Sequence, residues 1–347
     1  MSSYGRLWYW SLTERRAPSN GGLRVRSFIV RFVVREHMTF REEGEAATRS
    51  PDSVFGLLGD ETRLGILQAL WERYDPNATD NAVPFSELFD RVDVADTGNF
   101  NYHLGRLTEH FVRRTEGGYE LTAPGLKLAR AVVAGGVTGD PVLEPTPVDA
   151  ACERCGARMA IDYEDGTTWV RCTACEGYWP RRGGELFGFS LPPAGLRDRD
   201  PDGVLAATIV YSIHRFETMT RGVCPECGGA VDAALAVCED HDPDGGVCEA
   251  CGSSFLGVVR FVCTTCKFAW RCPSYAVVSH HPALVSFYYD HGVEHVPATW
   301  AGIARGLHWA EDLVSTEPVT LRLTVRHDGD RIRFLLDDTG TVVDVCD

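Results

Sequence analysis

The sequence predicts a multidomain α+β chain. Three observations predict it: helical periodicities broken by short turns between residues 52 and 136, cysteine pairs crowded into the middle of the chain, and short alternating segments near its end. A length of 347 residues, 44% hydrophobic and 24% charged, suits two or three compact domains. The most apolar early run, Phe28 to Val34, is broken by Arg31 and is too short for a membrane helix. It has no cleavage site behind it, so neither a signal peptide nor a membrane anchor is expected.

Residues 1–51 read as an extension. Residues 1–37 carry seven arginines and two acids, and a polar stretch follows Met38. Either the natural start is Met38 or the segment is a basic arm. From 52 to 136 a first folded unit is expected. Asp60 can cap a helix whose inward stripe is Leu64, Leu67, Leu70 and Trp71. A second helix runs from Pro84 to Val92 with Phe85, Leu88 and Phe89 inward. Asp93 to Asp96 form a turn. A third helix runs from Thr97 to His110, with Phe100, Leu104, Leu107 and Phe111 on its core face. Phe111–Arg114 and Tyr119–Thr122 read as a hairpin around Gly117-Gly118, and a last helix follows Pro124. Helix, helix, turn, helix, hairpin, helix is the order of a winged helix-turn-helix.

Behind it, residues 137–151 read as a Pro-rich linker. Cysteine regions are expected at 150–185 and 222–275, with a helical connector at 186–221 formed mainly by Asp202 to Thr220. A C-terminal α+β unit at 276–347 contains helices Pro282–Gly292 and Pro297–Val314. Strands Val319–Val325, Arg331–Leu336 and Thr341–Val345 follow, joined at Asp328-Gly329 and Thr339-Gly340.

The third helix is the candidate reading element. Opposite its core stripe lie Gly98, Tyr102, Gly105, Arg106 and Glu109, with Asn99 and Asn101 on the flanks. Arg pairs bidentately with guanine and Asn with adenine, so this face suits double-stranded DNA. The two glycines allow close approach to a groove. His103 lies nearer the core and is expected to pack. Arg113 and Arg114 flank the hairpin as phosphate contacts. Residues 97–130 are net +2 within a chain of net charge −15, so the case rests on local charge, since the total opposes it. Only Lys127 and Lys267 are lysines. An acidic, lysine-poor surface fits a halophilic cytoplasm, the bland alternative being a GC-rich genome.

The run from Leu57 through Gly59-Asp60-Glu61-Thr62-Arg63 to Leu67 resembles the opening of ArsR-type winged-helix repressors. The run Asp96 to Leu104, with Gly118 to Thr122, is similar to the haloarchaeal branch of that group. The resemblance covers about 80 residues. It implies a homodimer that binds operators through Asn99, Asn101, Tyr102 and Arg106. Metal-sensing members carry cysteine ligands on the reading helix, whereas no cysteine precedes Cys152 here.

Of 13 cysteines, most form C-x-x-C pairs. In a reduced cytosol such pairs read as metal ligands. Cys152/Cys155 with Cys172/Cys175 match an all-cysteine zinc ribbon. Cys248/Cys251 with Cys263/Cys266 read as a second ribbon. Cys224/Cys227 then find a local complement in Cys238 and His241. The competing solution pairs Cys224/Cys227 with Cys248/Cys251 or Cys263/Cys266 across a longer loop. Two or three Zn²⁺ per chain follow. Complete four-ligand sets leave no open position for water, so structural zinc is expected. Cys272 and Cys346 have no partner by spacing. His280, His281, His291, His295 and His308 match no ligand motif and read as surface or packing residues. Arg154 and Arg171 beside the knuckles could touch nucleic acid or polymerase.

No phosphate loop, nucleophile elbow or H-E-x-x-H stands in the sequence, and no enzyme is expected. The leading expectation is a cytoplasmic, sequence-specific transcription regulator. Two alternatives stand beside it. One is a basal accessory factor that engages the transcription machinery, because a winged helix before a zinc ribbon also resembles the archaeal homologue of the TFIIE alpha subunit. The other is a thiol/zinc redox sensor.

Overall fold

In the computed structural model the chain is described over residues 51–346, apart from 109, 137–138, 180–182 and 243–246. The basic segment 1–37 and the expected start at Met38 lie outside the described residues. The described residues are mixed α+β, with their strands in four antiparallel sheets.

Residues 51–133 build the first lobe: α1 (Pro51–Leu58), α2 (Glu61–Glu72), α3 (Phe85–Arg91), α4 (Thr97–Thr108), the hairpin β1 (Val112–Thr115) and β2 (Gly118–Leu121), and α5 (Ala123–Val133). Capping residues set several of the boundaries. Asp60 accepts from the backbone N–H of Arg63 at 3.1 Å to start α2. Thr122 accepts from Gly125 at 3.2 Å to start α5. The core stripe of α4 is as expected, with Phe100, Leu104 and Leu107 buried and Phe111 just beyond. Phe100 meets Phe85 and Phe89 edge-on, each at 5.3 Å. On α2 the expected stripe is corrected. Leu64 is exposed, while Ile66, Leu67, Ala69 and Leu70 are buried. This helix is covered on two sides, by α4 and by α3 and α5, so its buried arc is wider than a simple stripe.

The hairpin turns one residue earlier than the sequence suggested, leaving Gly118 in β2 opposite Thr115. Val83 joins as a third edge, exchanging backbone bonds with Tyr119 at 2.8 and 2.9 Å. That approach requires Gly118. Its φ is +140°, and a Cβ there would lie 2.1 Å from the Val83 carbonyl oxygen.

The remaining elements share one interior. β3 (Leu143–Ala151), β4 (Arg158–Glu164), β5 (Thr167–Cys172) and β6 (Glu185–Ser190) form a meander in that order. The segment read as a linker is therefore largely an edge strand. Pro145 and Pro147 are tolerated there because one side of β3 has no strand to donate to. A short 3₁₀ turn (Pro193–Leu196) leads to α6 (Pro201–Thr220), capped by Asp200 accepting from Gly203 at 2.7 Å. Next come β7 (Val231–Val237), β8 (Gly257–Cys263) and β9 (Ala269–Pro273), a second meander.

The chain ends with α7 (Tyr275–Val278), α8 (Pro282–Asp290) and α9 (Trp300–Gly306), then the four-stranded meander β10 (Ala310–Thr316), β11 (Val319–His327), β12 (Asp330–Leu336) and β13 (Val342–Cys346). The expected helix Pro297–Val314 is thus corrected to α9 followed by a strand. Burial alternates along Ala310–Thr316, and Val314 and Thr316 are β-branched. Glu311 on β10 accepts from the backbone N–H of Leu256 at 2.8 Å and from the Ser274 hydroxyl, tying this sheet to β8. Asp328-Gly329, both at positive φ, make the β11–β12 turn.

Buried side chains from Val148 to Leu336 form a single cluster, separate from the cluster Leu57 to Ala129 of the first lobe. Gly118→Ala should strain the first lobe by about 1–3 kcal/mol. The expected result is a lower denaturation midpoint for that lobe with metal content unchanged; an unmoved midpoint would show that the Val83 approach is dispensable.

Candidate metal centres and the exposed face of the fourth helix

The twelve residues read as ligands resolve into three tetrads: Cys152, Cys155, Cys172 and Cys175; Cys224, Cys227, Cys263 and Cys266; and Cys238, His241, Cys248 and Cys251. All twelve predicted ligands are used, and Cys272 and Cys346 belong to no tetrad. The first tetrad has the expected membership. The other two are interleaved, which corrects the local pairing of Cys224/Cys227 with Cys238/His241 and the proposed ribbon of Cys248/Cys251 with Cys263/Cys266.

Strand register is the physical reason. β7 and β8 pair with Val231 opposite Cys263 and Val237 opposite Gly257. The ends of this hairpin therefore bring the knuckle before β7 onto the knuckle after β8. The first tetrad is built the same way, with Met159 opposite Cys172 across β4 and β5. The two meanders differ at the hairpin tip. β4 and β5 turn at Asp165-Gly166, both at positive φ. Between β7 and β8 the chain instead runs from 238 to 256, and this excursion carries the third tetrad. Spacing along the sequence could not show that one site is inserted inside another.

Distances fit a tetrahedral ion. Ligand atoms bonded at about 2.3 Å in a tetrahedron lie about 3.8 Å apart. Sγ–Sγ separations are 3.8 Å for Cys152–Cys175 and 3.4 Å for Cys155–Cys172. They are 3.6 Å for both Cys224–Cys266 and Cys227–Cys263. His241 Nδ1 lies 3.7 Å from Cys251 Sγ. These values are far beyond a disulfide bond, and all thirteen cysteines are free thiols.

The knuckles supply fixed donors to sulfur. Cys263 Sγ accepts from the backbone N–H of Cys266 and of Thr265, each at 3.4 Å, and these bonds draw its thiol down to about 6. Burial pushes Cys172 up, but N–H bonds from Cys175 and Ala174 at 3.3 Å outweigh it and leave it at about 7. Four of the five C-x-x-C knuckles also close a backbone bond onto their first cysteine: Gly156 to Cys152 at 2.8 Å, Gly228 to Cys224 at 2.8 Å, Gly252 to Cys248 at 2.8 Å and Lys267 to Cys263 at 3.1 Å. All four donors have positive φ, which explains three glycines after a C-x-x-C pair. The arrangement can hold three metal ions in four-ligand shells. Within the chain, Arg171 pairs with Asp162 at 2.5 Å, and Arg154 donates to the Gly177 carbonyl.

The C-terminal histidines form no metal cluster among the described residues. His295 is buried on the Ser279 carbonyl at 3.0 Å, His291 pairs with Asp330 at 3.1 Å, and His308 with Glu153 at 3.2 Å.

On the first lobe, Asn99, Asn101, Tyr102 and Arg106 are all exposed on α4, and Arg113 and Arg114 are exposed on β1. Tyr102 is 61% exposed. Arg113 pairs with Glu120 across the hairpin at 2.6 Å, and Arg114 lies over the Tyr119 ring at 5.9 Å. His103 is buried, as expected, with Nδ1 3.2 Å from Asp60 Oδ1. Arg63 donates from Nε to the Leu57 carbonyl at 2.5 Å and from Nη2 to the Gly56 carbonyl at 3.0 Å. Thus Asp60 and Arg63 join the end of α1, the start of α2 and the middle of α4. Sequence reading gave Asp60 only the cap. A charged pair three residues apart, Asp60 at the cap and Arg63 in the first turn, was the available signal.

The fold and the tetrads define a cysteine-knuckle protein with a separate helical lobe. The chain belongs to the family described as domain of unknown function (DUF7351), whose model matches residues 149–342. Residues 51–132 match a second model, domain of unknown function (DUF7347). No curated protein and no solved structure matches the chain.

Paired substitutions test the interleaving through metal content. Cys224→Ser with Cys263→Ser should remove one ion per chain, and Cys224→Ser with Cys238→Ser should remove two. Local pairing requires the reverse counts.

Proposed function

We propose that this chain is a sequence-specific DNA-binding transcription regulator with three structural zinc sites. In this reading α1–α5 with β1 and β2 are a winged helix-turn-helix, α4 enters the major groove, and the chain acts as a homodimer. The observation that carries it is the division of α4 into two faces. Phe100, His103, Leu104 and Leu107 are buried, and Asn99, Asn101, Tyr102 and Arg106 are exposed. The exposed residues are those that hydrogen-bond base edges. The hairpin beside them offers Arg114, and Arg113 once it leaves Glu120, as phosphate contacts. Zinc is the metal that fits the ligand set, eleven cysteines and one histidine in tetrahedra. With four protein ligands each, the ions stabilise the fold and offer no open position for catalysis. No described helix is long and apolar enough to cross a membrane.

Gly105 gives the sharpest test. It lies on the exposed face, and a Cβ there would meet nothing within 4 Å. Gly105→Ala should therefore stabilise α4 by about 0.5–1 kcal/mol while crowding the groove. The expected result is a higher melting temperature with weaker binding to operators selected from a random DNA pool. Binding left intact, or no sequence selected from the pool, contradicts the reading.

Arg106→Ala should weaken specific binding by about 1–3 kcal/mol and relax the preference at one base pair. A footprint and sequence logo identical to those of the parent chain would remove Arg106 from the reading face. Genome-wide occupancy then separates a regulator, with few discrete operators, from a basal factor present at most promoters.

A further inference from the structure

A cavity of about 230 Å³ lies between the two cysteine-bearing meanders, walled by β5 and β6, α6, β9 and the C-terminal helices. Nothing in the metal sites or on the α4 face uses it. Its walls are aromatic: Trp169, Phe187, Phe189, Phe216 and Trp270 all line it. One acidic side chain, Glu185, also lines it and is 1% exposed.

The cavity is built by complementary residues. Trp169 stands opposite Gly188 across β5 and β6, and a Cβ at 188 would lie 2.5 Å from the Trp169 ring. Glycine at 188 therefore sets where the indole lies. Phe187 and Phe189 stack at 5.7 Å on the same face of β6, while Phe216 on α6 tilts against Trp270 on β9 at 6.2 Å. Rings from two sheets and a helix thus converge on one space.

We propose that this cavity binds an uncharged, planar heteroaromatic molecule of one or two rings that carries an N–H donor. Size sets the upper limit: an engineered cavity of about 150 Å³ takes benzene, so the larger volume here suits a fused bicycle. Aromatic walls favour a flat ring through offset and edge-to-face contacts. A buried carboxyl group accepts hydrogen bonds through its oxygens and offers no positive charge to an anion. Glu185 can therefore take a ligand N–H while keeping its contacts within the chain. Among the described residues, Arg171, opposite Glu185, is paired with Asp162, and Arg271 at the cavity is exposed.

This site stands whether or not the chain reads DNA, because its test contains no nucleic acid. The full metal-loaded chain is titrated calorimetrically with indole and with 1-benzothiophene, a near-isostere without the N–H. One indole should bind per chain, with 1-benzothiophene about ten-fold weaker, the worth of one hydrogen bond. Ala276→Phe, which places a ring in the cavity from α7, should abolish indole binding without changing metal content. Absence of saturable indole binding, equal affinity for the two probes, or undiminished binding by a folded Ala276→Phe variant would each overturn the proposal. The comparison of probes on the unaltered chain decides the matter even if that variant does not fold.

Discussion

The architecture beyond residue 143 depends on one constraint: two of the three four-ligand sets each close a hairpin at its open end. β4–β5 and β7–β8 each carry a C-x-x-C knuckle before the first strand and another at the end of the second. Antiparallel pairing alone brings the two knuckles together, where an ion held by the four thiols would lock the register. Met159 opposite Cys172 and Val231 opposite Cys263 are the visible marks of this. A hairpin has only marginal stability by itself. Metal–thiolate bonds at such a site would couple its closure to folding, and the meanders supply walls for a shared core running from Val148 to Leu336.

The same constraint explains why a third site can sit within the second. Once Cys224, Cys227, Cys263 and Cys266 hold the base of the β7–β8 hairpin, its tip can lengthen without disturbing register. Cys238, His241, Cys248 and Cys251 then organise the added chain. The first lobe has no such support and relies on apolar packing, with Asp60 and Arg63 fastening three helices. It meets the rest of the chain where Ala194 donates to the Ala134 carbonyl at 3.0 Å, at the end of α5.

Local signals were legible in the sequence wherever one residue type has one local role. Asp60 as a cap, the Phe100–Leu104–Leu107 stripe, the Asp328-Gly329 turn and all twelve ligands belong to that class. Pairings that depend on distant strands were not. Cys224 has Cys238 close by in sequence, yet register delivers it to Cys266. Pro145 and Pro147 read as a linker because their edge position is a tertiary fact. Ala310–Val314 read as the end of a helix because only a neighbouring strand, β11, reveals the alternation there. Leu64 is apolar and at helical spacing, but the α2 arc covered by its neighbours excludes it. The aromatic cavity left no local trace, since its rings come from β5, β6, α6 and β9.

The central claim about the scaffold is that three ions are held by eleven sulfurs and one nitrogen. X-ray absorption at the zinc edge on the purified chain measures this shell directly. The account predicts a sulfur-dominated first shell at about 2.3 Å, with a minor nitrogen contribution near 2.0–2.1 Å. A shell rich in nitrogen or oxygen, or no zinc edge in a folded chain, would contradict it.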